Sequence, residues 1–454
     1  MIMAIGFTTL QRAGEAQDID KEESFDPCLK MILHECLCRI DEQSAGTLLL
    51  LGLYLLFKPD DIDPRAVAGV LTRHALAIGL VNEHSNSQTL TARALELRRR
   101  LSWSIYAFDR MISISYGIPF SFSDDRMQVP LPSIMIHEYA SEEGHQYTIA
   151  LQVSRHIIAL RQLETRIINA IYDFGGSVRH KGLRREIEDW YTQGCLLSSS
   201  AMWDQDQLPF HTTITWLNVR YQNLLLLLYS PTQGGLPVES HLSTLQGAAQ
   251  QYIQLSLILH EHRHLPMNWI NLCRLLSLTA TFFYCVTSWS TPPLQEIPEI
   301  GFLASLLDCF PSAWKAAHEG SQIAQRLADI VVKQTASAIP LSQSPESVIG
   351  GSLDTEGLQS IQDDLEALLS RTLGEASFYV WPLRSKVAER CASHQIAAMN
   401  SINAALDGGL LEARVGFPDN GTLAPAPEEG VQTVTPLEAA QWVNILGGLG
   451  SDML

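Results

Sequence analysis

The chain of 454 residues is 46% hydrophobic and 18% charged, a composition that supports a sizeable buried core. Its 49 acidic residues outnumber the 31 lysines and arginines, which gives a net charge of −18. Surfaces that wrap nucleic acid or dock on anionic membranes are basic, so this balance argues against both roles. The eight cysteines are too sparse for a disulfide scaffold in a chain of this length.

Apolar runs at 48–57, 224–229 and 275–289 raise the question of a membrane-spanning helix. Each run is shorter than the roughly 18 to 20 apolar residues that cross a bilayer. The first residues also lack the basic region that opens a secretory signal peptide. The sequence therefore predicts core helices in a protein that is neither secreted nor bound to a membrane.

Helical periodicity dominates the first three quarters of the chain. Apolar residues recur at three- and four-residue steps from Leu29 to Ile40. Asp63 and Pro64 predict the start of a second helix, because aspartate caps free amides and proline suits the first turn; this helix should end near Gly79. Further helices are predicted over 146–174, 182–197, 212–229, 241–262, 268–290 and 312–335. Alternating apolar and polar residues are almost absent, so the fold class should be all-α with few or no strands.

The composition changes after residue 333. The stretch 334–353 is rich in Ser, Ala, Gly and Pro and predicts a linker or long loop, after which helical patterns return over 358–369 and roughly 383–406. The last forty residues hold five acids and no Lys, Arg or His, which predicts a tail that is disordered when alone. These changes divide the chain into an acidic N-terminal segment (1–25), a large helical region (26–333), a linker with C-terminal helices (334–414) and the acidic tail (415–454).

The most informative segment is 96–132, which reads ELRRRLSWSIYAFDRMISISYGIPFSFSDDRMQVPLP. One apolar stripe at helical spacing contains Leu97, Leu101, Ile105, Phe108, Ile112 and Tyr116. Trp103, Tyr106 and Arg110 occupy a second face, so this helix should be covered on more than one side. Asp109 and Arg110 lie in an apolar helix and therefore need charged partners, which we expect from the same segment.

This segment resembles the middle homology region of the fungal zinc-cluster transcription factors, which is their regulatory domain. The resemblance extends over 26–333 in the order of the elements. The residues that carry it are Arg98, Arg99, Arg100, Trp103, Tyr106, Asp109, Arg110, Gly117, Pro119, Asp124, Pro130 and Pro132. Two positions depart from the family pattern: Ser102 replaces a bulky aromatic residue, and Ile118 replaces an arginine.

The DNA-binding module of this family holds two zinc ions with six cysteines that begin in Cys-x-x-Cys pairs. This sequence contains no Cys-x-x-Cys and no basic run beside a cysteine cluster. We therefore expect no zinc cofactor in this chain and no direct DNA binding by it.

Two histidine motifs are alternative metal sites. The sequence HEHRH at 260–264 matches the H-E-x-x-H pattern of zinc proteases. Pro266 predicts that the helix ends there, so a solvated helix end is favoured over a zinc site at His260 and His264. His34 and Cys38 share one face of a helix, but two ligands do not make a zinc site.

The triple arginine 98–100 could form a phosphate-binding patch, although the acids nearby in the chain favour structural ion pairs. The sequence holds no Walker A loop, no dinucleotide-binding glycine motif and no nucleophile elbow. No residue is therefore assigned a catalytic role, and no recognisable catalytic motif marks an enzyme.

The resemblance implies a protein that controls transcription, for example of a metabolic or secondary-metabolite pathway, in the nucleus or shuttling to it. A cavity between helices would accept a small apolar or aromatic effector. Expected protein partners are a second copy or a family member in a dimer, and a coactivator. The coactivator would bind the tail through its apolar cluster at Trp442, Ile445 and Leu446.

The alternative is a family member without the zinc cluster that acts as an auxiliary protein in a biosynthetic pathway. Such a protein could be a small-molecule enzyme, for instance a cyclase-like catalyst that uses the helical cavity. The fold alone does not separate these functions, because function depends on sites and one fold carries many of them.

Overall fold

The computed structural model describes residue 5 and residues 26–59, 62–82, 90–142, 144–172, 180–198, 213–231, 239–288, 297–338 and 355–384. The all-α fold class is confirmed over these residues, which contain no strand and a single isolated bridge between Asn82 and Gln128. Apart from Ile5, the predicted N-terminal segment lies outside the described residues, as do most of the predicted helix 383–406 and the acidic tail.

The described helices follow the chain in a simple order. They are α1 (Asp26–Cys38), α2 (Glu42–Leu55), α3 (Pro64–Ala77), α4 (Ala92–Tyr116), α5 (Ile136–Tyr139), α6 (Gly144–Tyr172), α7 (His180–Ser198), α8 (Ile214–Tyr229), α9 (Glu239–Glu261), α10 (Trp269–Ser288), α11 (Glu299–Asp308), α12 (Lys315–Ala338) and α13 (Thr355–Leu373). A 3₁₀ helix covers Asp124–Arg126. The predicted helices from 146 to 335 match α6 to α10 and α12 within three residues at each end.

The start of α3 shows how the sequence sets a helix boundary. The carboxylate of Asp63 accepts a hydrogen bond from the Arg65 N–H at 2.8 Å, and Pro64 occupies the first turn. The chain leaves the helix at Gly79, whose φ of +67° is the left-handed conformation that glycine adopts at low cost. Both predicted ends of this helix are therefore confirmed.

Two long helices lie at the centre of the fold. Helix α4 packs against α2, α3, α6 and α10, and α10 also packs against α9, α11, α12 and α13. Helix α10 is long and apolar enough to cross a membrane, but 78% of its apolar window is buried inside the fold. It is the core helix that the sequence predicts.

Helix α11 is missing from the predicted elements. Its apolar residues Ile300, Leu303, Ala304 and Leu307 follow helical spacing and are buried. The helix has only ten residues, so its apolar pattern covers fewer than three turns. The predicted linker is also corrected at its start, because residues 334–338 belong to α12.

The described segment 374–384 lies across the C-terminal end of α4. The Phe378 N–H donates to the carbonyl of Gly117 at 2.8 Å, and the Tyr379 hydroxyl donates to the carbonyl of Ile114 at 3.0 Å. Helix α13, which precedes the segment, packs against α10 and α12. The part of the chain described after residue 354 therefore shares its core with the helices before it, whereas the domain division at 333 stays a prediction.

Gly117 lies at this contact and should tolerate a side chain less well than Gly79 does. Its φ is +67°, and a Cβ there would lie 2.5 Å from the Ser377 Oγ and 2.7 Å from the Tyr379 Cδ2. Gly79 has the same φ, but a Cβ there would meet nothing within 4 Å. Gly79→Ala should therefore cost only the conformational term of about 1 to 2 kcal/mol, and Gly117→Ala should cost about 1 to 3 kcal/mol more for the steric overlap.

Denaturant titration of both variants gives the free energies of unfolding that test this difference. Equal losses in the two variants would contradict the contact between segment 374–384 and the end of α4.

Candidate functional site

The family motif centres on Arg110, whose side chain is 0% exposed in the middle of α4. Its Nη1 donates to the carboxylate of Asp109 at 2.5 Å, and its Nε donates to the Thr165 hydroxyl at 3.1 Å. Its Nη2 donates to the Phe122 carbonyl at 2.8 Å and to the Asp124 carboxylate at 2.7 Å. Every nitrogen of the guanidinium group has a partner, as a buried cation requires.

Aromatic rings enclose the same guanidinium group. Its central carbon lies 4.3 Å from the ring centroid of Tyr106, 4.5 Å from that of Phe120 and 4.8 Å from that of Phe122. The Tyr106 hydroxyl donates to Asp124 at 3.0 Å, and burial raises the pKa of Tyr106 to about 12. The phenol therefore stays neutral near pH 7 and adds a cation–π contact and a hydrogen bond to the ion pairs.

The two departures from the family pattern have local explanations. The Ser102 hydroxyl is buried and donates to the carbonyl of Leu80 at 2.5 Å. An aromatic side chain has no hydroxyl group at that position, so it could not make this hydrogen bond. Ile118 follows the end of α4 and brings no charge to Asp124. Arg110 supplies the cationic partner of Asp124 instead.

Arg100 is held by two carboxylates. Its Nε donates to Glu96 at 3.0 Å, and its two terminal nitrogens each donate to Glu138 at 2.8 Å. Glu96 also accepts from the Ser133 N–H at 2.7 Å and from its hydroxyl at 2.8 Å. Although burial alone would raise the pKa of Glu138, hydrogen bonds from Arg100 and from the Met135 N–H hold it below its ordinary value. These contacts fasten α4 to α5 and to the loop before it.

The other two arginines of the triple are also paired. Arg98 binds the carboxylate of Glu42 and donates to the carbonyl of Ile78 at 3.0 Å. Arg99 lies 3.4 Å from the carboxylate of Glu96. All three arginines therefore have carboxylate partners inside the fold, and the segment does not present an unpaired phosphate-binding patch.

The extended residues after the 3₁₀ helix are anchored to α4 and α6. The Trp103 Nε1 donates to the Pro130 carbonyl at 2.9 Å, and the Arg155 Nε donates to the Pro132 carbonyl at 2.8 Å. Trp103 and Tyr106 make an edge contact at 5.2 Å within a second buried cluster that also holds Phe122, Val129 and Ile158. The loop that follows α4 therefore covers the predicted second face of this helix. Pro119, just beyond the end of α4, is exposed.

The two histidine motifs do not form metal sites in the described part of the chain. Helix α9 ends at Glu261, and Arg263 has a φ of +58°. His260 therefore lies in the last turn of the helix, whereas His264 lies beyond its end. The His34 ring lies 3.8 Å from the Cys38 sulfur on α1. Among the described residues, no three His, Cys, Asp or Glu side chains are placed to hold a metal ion.

A cleft of about 20 Å³ lies between α8, α9, α10 and Tyr379. Its lining residues are Asn223, Leu226, Leu227, Ser230, Tyr252, Arg274, Ser277, Leu278, Thr281 and Tyr379. The volume admits a group about the size of one water molecule. The lining is rich in hydroxyl groups and includes a guanidinium group, so this cleft differs from the apolar effector cavity that the sequence predicts.

No residue of the cleft was named from the sequence. One signal was available, because Arg274 interrupts the apolar sequence of α10. Isolated charges inside apolar helices mark buried polar sites.

His156 is a buried titratable group outside the motif. It lies 7% exposed on α6, and its ring stacks on Trp190 of α7 at 4.6 Å with an interplanar angle of 7°. Gly194 leaves room for it, because a Cβ there would lie 2.8 Å from the His156 Nε2. Burial lowers the pKa of His156 to about 4.

The depressed pKa of His156 predicts acid sensitivity. The unfolded chain takes up a proton near pH 6.5, whereas the folded protein takes it up only near pH 4. Above pH 6.5, the ionisation of His156 therefore does not affect the free energy of unfolding. As the pH drops to 4, the free energy of unfolding should fall by about 3 kcal/mol.

Denaturation between pH 7 and pH 4 measures this loss. His156→Gln should flatten the dependence of the unfolding free energy on pH, while the exposed His262→Gln should leave it unchanged. An identical pH slope in wild type and His156→Gln would contradict a neutral, buried His156.

Comparison with known proteins shows which family the first part of the chain resembles. Residues 1–193 match the family model described as the fungal specific transcription factor domain. This part of the chain is similar to that domain. The resemblance inferred from segment 96–132 is therefore confirmed, and the paired arginines, Arg110 and Trp103 lie within the matched region.

Curated relatives are fungal regulators. The chain is similar to Protein STB5 of Saccharomyces cerevisiae, with 29% identity over 73% of this chain and 47% of the relative. It is also similar to the thiamine repressible genes regulatory protein thi1 of Schizosaccharomyces pombe (25% identity over 50% of this chain and 30% of the relative). The pyrimidine pathway regulatory protein 1 of S. cerevisiae is 22% identical over 60% of this chain and 33% of the relative.

The chain spans less than half the length of each of these three relatives in the matched regions. No solved structure matches the chain.

Proposed function

We propose that this chain is the regulatory part of a fungal transcription regulator and acts by sensing an effector and by contacting other proteins. The observation that carries the proposal is the match of residues 1–193 to the fungal specific transcription factor domain. The named relatives are regulators, and they support control of transcription rather than the alternative of a small-molecule enzyme.

The charge distribution supports a role apart from DNA contact. The chain has a net charge of −18, and the arginines of its most basic run are bound to carboxylates within the fold. Phosphate contacts require cations that are free to replace the counterions of DNA. We therefore assign DNA reading to a separate module or partner and regulation to this chain.

A nuclear location, a dimer with a second copy or a family member, and a coactivator contact belong to the same proposal. The coactivator contact is proposed for residues 415–454, where acids surround Trp442, Ile445 and Leu446. Acids keep such apolar residues accessible to a partner on which the segment folds. Target genes in a metabolic pathway fit the names of the thiamine and pyrimidine regulators among the relatives.

Fusion of the full chain to an unrelated DNA-binding domain tests the proposal. The fusion should raise the output of a reporter gene in a fungal cell above that of the DNA-binding domain alone. Replacing Trp442, Ile445 and Leu446 by alanine should remove most of that increase, because these residues would form the apolar contact with the coactivator.

A matched variant replaces Leu423, Val431 and Val434, which are apolar residues of the same tail outside the cluster. It should retain the activation. An unchanged reporter with the full fusion would contradict the regulatory role, and equal losses in the two triple variants would remove the assigned coactivator contact.

A further inference from the structure

The side chain of His74 joins two helices of the described fold. His74 lies in the last turn of α3 and is 7% exposed. Its Nε2 atom lies 3.1 Å from the carbonyl oxygen of Cys36 on α1, and its Nδ1 atom lies 3.1 Å from that of Val70 on α3. Each ring nitrogen therefore faces a carbonyl oxygen, which can only accept a hydrogen bond.

The protonation state of the ring decides how many of these hydrogen bonds form. A neutral imidazole has one N–H and one lone pair, so it donates to one carbonyl and turns its lone pair toward the other. An imidazolium has two N–H groups and donates to both carbonyls. Because a buried polar contact without a hydrogen bond is unfavourable, this geometry favours the imidazolium.

The helix ends around the ring also favour a cation. The last four carbonyls of an α-helix have no partner within the helix, and Cys36 lies two residues before the end of α1. His74 therefore binds one of these carbonyls from a neighbouring helix. The C-terminal end of a helix carries a partial negative charge, and the ring lies beside the ends of both α1 and α3.

The charged side chains near Cys36 are acidic on balance. Burial raises the pKa of the Cys36 thiol, and the carboxylates of Asp41 and Glu35 raise it further. Arg39 opposes them and lies 3.2 Å from the carboxylate of Asp41 and 3.9 Å from that of Glu35. Two carboxylates against one guanidinium group add to the negative potential at the carbonyl that the ring contacts.

The other elements that pack on α3 bring a neutral pair to this end. Helices α2 and α4 both pack on α3. Glu42 of α2 binds Arg98 of α4, which also donates to the carbonyl of Ile78 just after α3. The exposed titratable side chains of α1 and α3 at this end are those of His34, Cys38 and Arg73. Solvent and salt screen these exposed groups, so the buried carbonyls and the carboxylates near Cys36 act most strongly on the ring.

We propose that His74 is an imidazolium that fastens the C-terminal end of α1 to α3, and that this latch opens when the ring loses its proton. The contribution of the latch to stability is complete below about pH 6.5, where the histidine of an unfolded chain also binds its proton, and it is lost as the pH rises. This device rests on the contacts of His74 and does not depend on the proposed function.

An open latch changes the surface at the start of the domain. The inner side of α1 buries Leu29 and Cys36, while Met31, Leu37 and Ile40 are already exposed on the same helix or just after it. Loosening of α1 adds the buried side chains to this exposed apolar surface. Alkaline pH therefore makes this end of the domain more apolar and more accessible.

The protons on the ring test the latch directly. Nuclear magnetic resonance of the full chain with ¹⁵N-labelled histidine reports whether each ring nitrogen carries a proton between pH 5.5 and 8.5. His74, assigned through its contacts with Val70 and Cys36, should keep both protons at a pH where the exposed His262 has lost one. Loss of the proton at the same pH as His262, or at a lower pH, would overturn the proposal.

Amide hydrogen exchange tests the effect on α1. After correction for the exchange rate of an unstructured chain at each pH, α1 should open about fivefold to tenfold more often at pH 8.5 than at pH 6, the effect of losing one hydrogen bond. Helix α12, which the latch does not contact, should not change in this way. The acid sensitivity predicted for His156 has the opposite sign and concerns α6 and α7, so the two effects separate by helix and by direction.

Two variants connect the opening of α1 to His74. His74→Gln keeps a donor for the Cys36 carbonyl but does not titrate, so its α1 should open equally at both pH values. His262→Gln should behave as wild type does. Equal opening of α1 at the two pH values in wild type, or an unchanged pH dependence in His74→Gln, would overturn the latch. If His74→Gln does not fold, the proton count on the wild-type ring decides by itself.

Discussion

The path of the chain after α4 depends on one buried cation, Arg110. Arg110 has no exposed surface, and the cost of removing its charge from water is recovered only where every nitrogen is paired. Asp109 provides one partner on α4, Thr165 provides one on α6, and the loop after α4 provides Phe122 and Asp124. This requirement fixes the path of the loop, which in turn places the extended residues that cover the second face of α4.

The arginines of the family motif are matched by carboxylates, carbonyls and aromatic rings, so they hold elements of the fold together. Elsewhere, the buried Arg161 pairs with Glu164 on α6, and Arg274 on α10 lines the polar cleft. Complete pairing of buried charges is typical of structural sites.

Local signals in the sequence predict much of this fold. The cap at Asp63 and the glycine ends at 79 and 117 follow from backbone chemistry alone, and the two faces of α4 follow from side-chain spacing. The partners of Arg100 are less accessible, because Glu138 lies 38 residues away and only the folded chain brings it near. The contact between segment 374–384 and the end of α4 could not be predicted from the sequence for the same reason.

The cleft could not be assembled from residue patterns alone. Its residues come from three helices and from the segment 374–384, and apart from Arg274 none of them stands out in its own sequence window. The family resemblance implies a cavity between helices that accepts a small apolar or aromatic effector. In the structure, Arg274 and several hydroxyl-bearing side chains line the cleft instead. Which side chains line it depends on the rotation of each helix about its axis.

The central claim is that Arg110 and its anionic partners stabilise the domain as a unit. Arg110→Met leaves the carboxylate of Asp109, which is 2% exposed, without its cation, and should lower the free energy of unfolding by about 3 to 5 kcal/mol. The double variant Asp109→Asn with Arg110→Met should lose less than the single variant, because neither charge then remains buried alone.

Denaturant titration of both variants, with the exposed Arg326→Met as a control that changes stability by less than about 0.5 kcal/mol, measures these differences directly. A loss in Arg110→Met no larger than in Arg326→Met would contradict the claim, as would a double variant less stable than Arg110→Met alone.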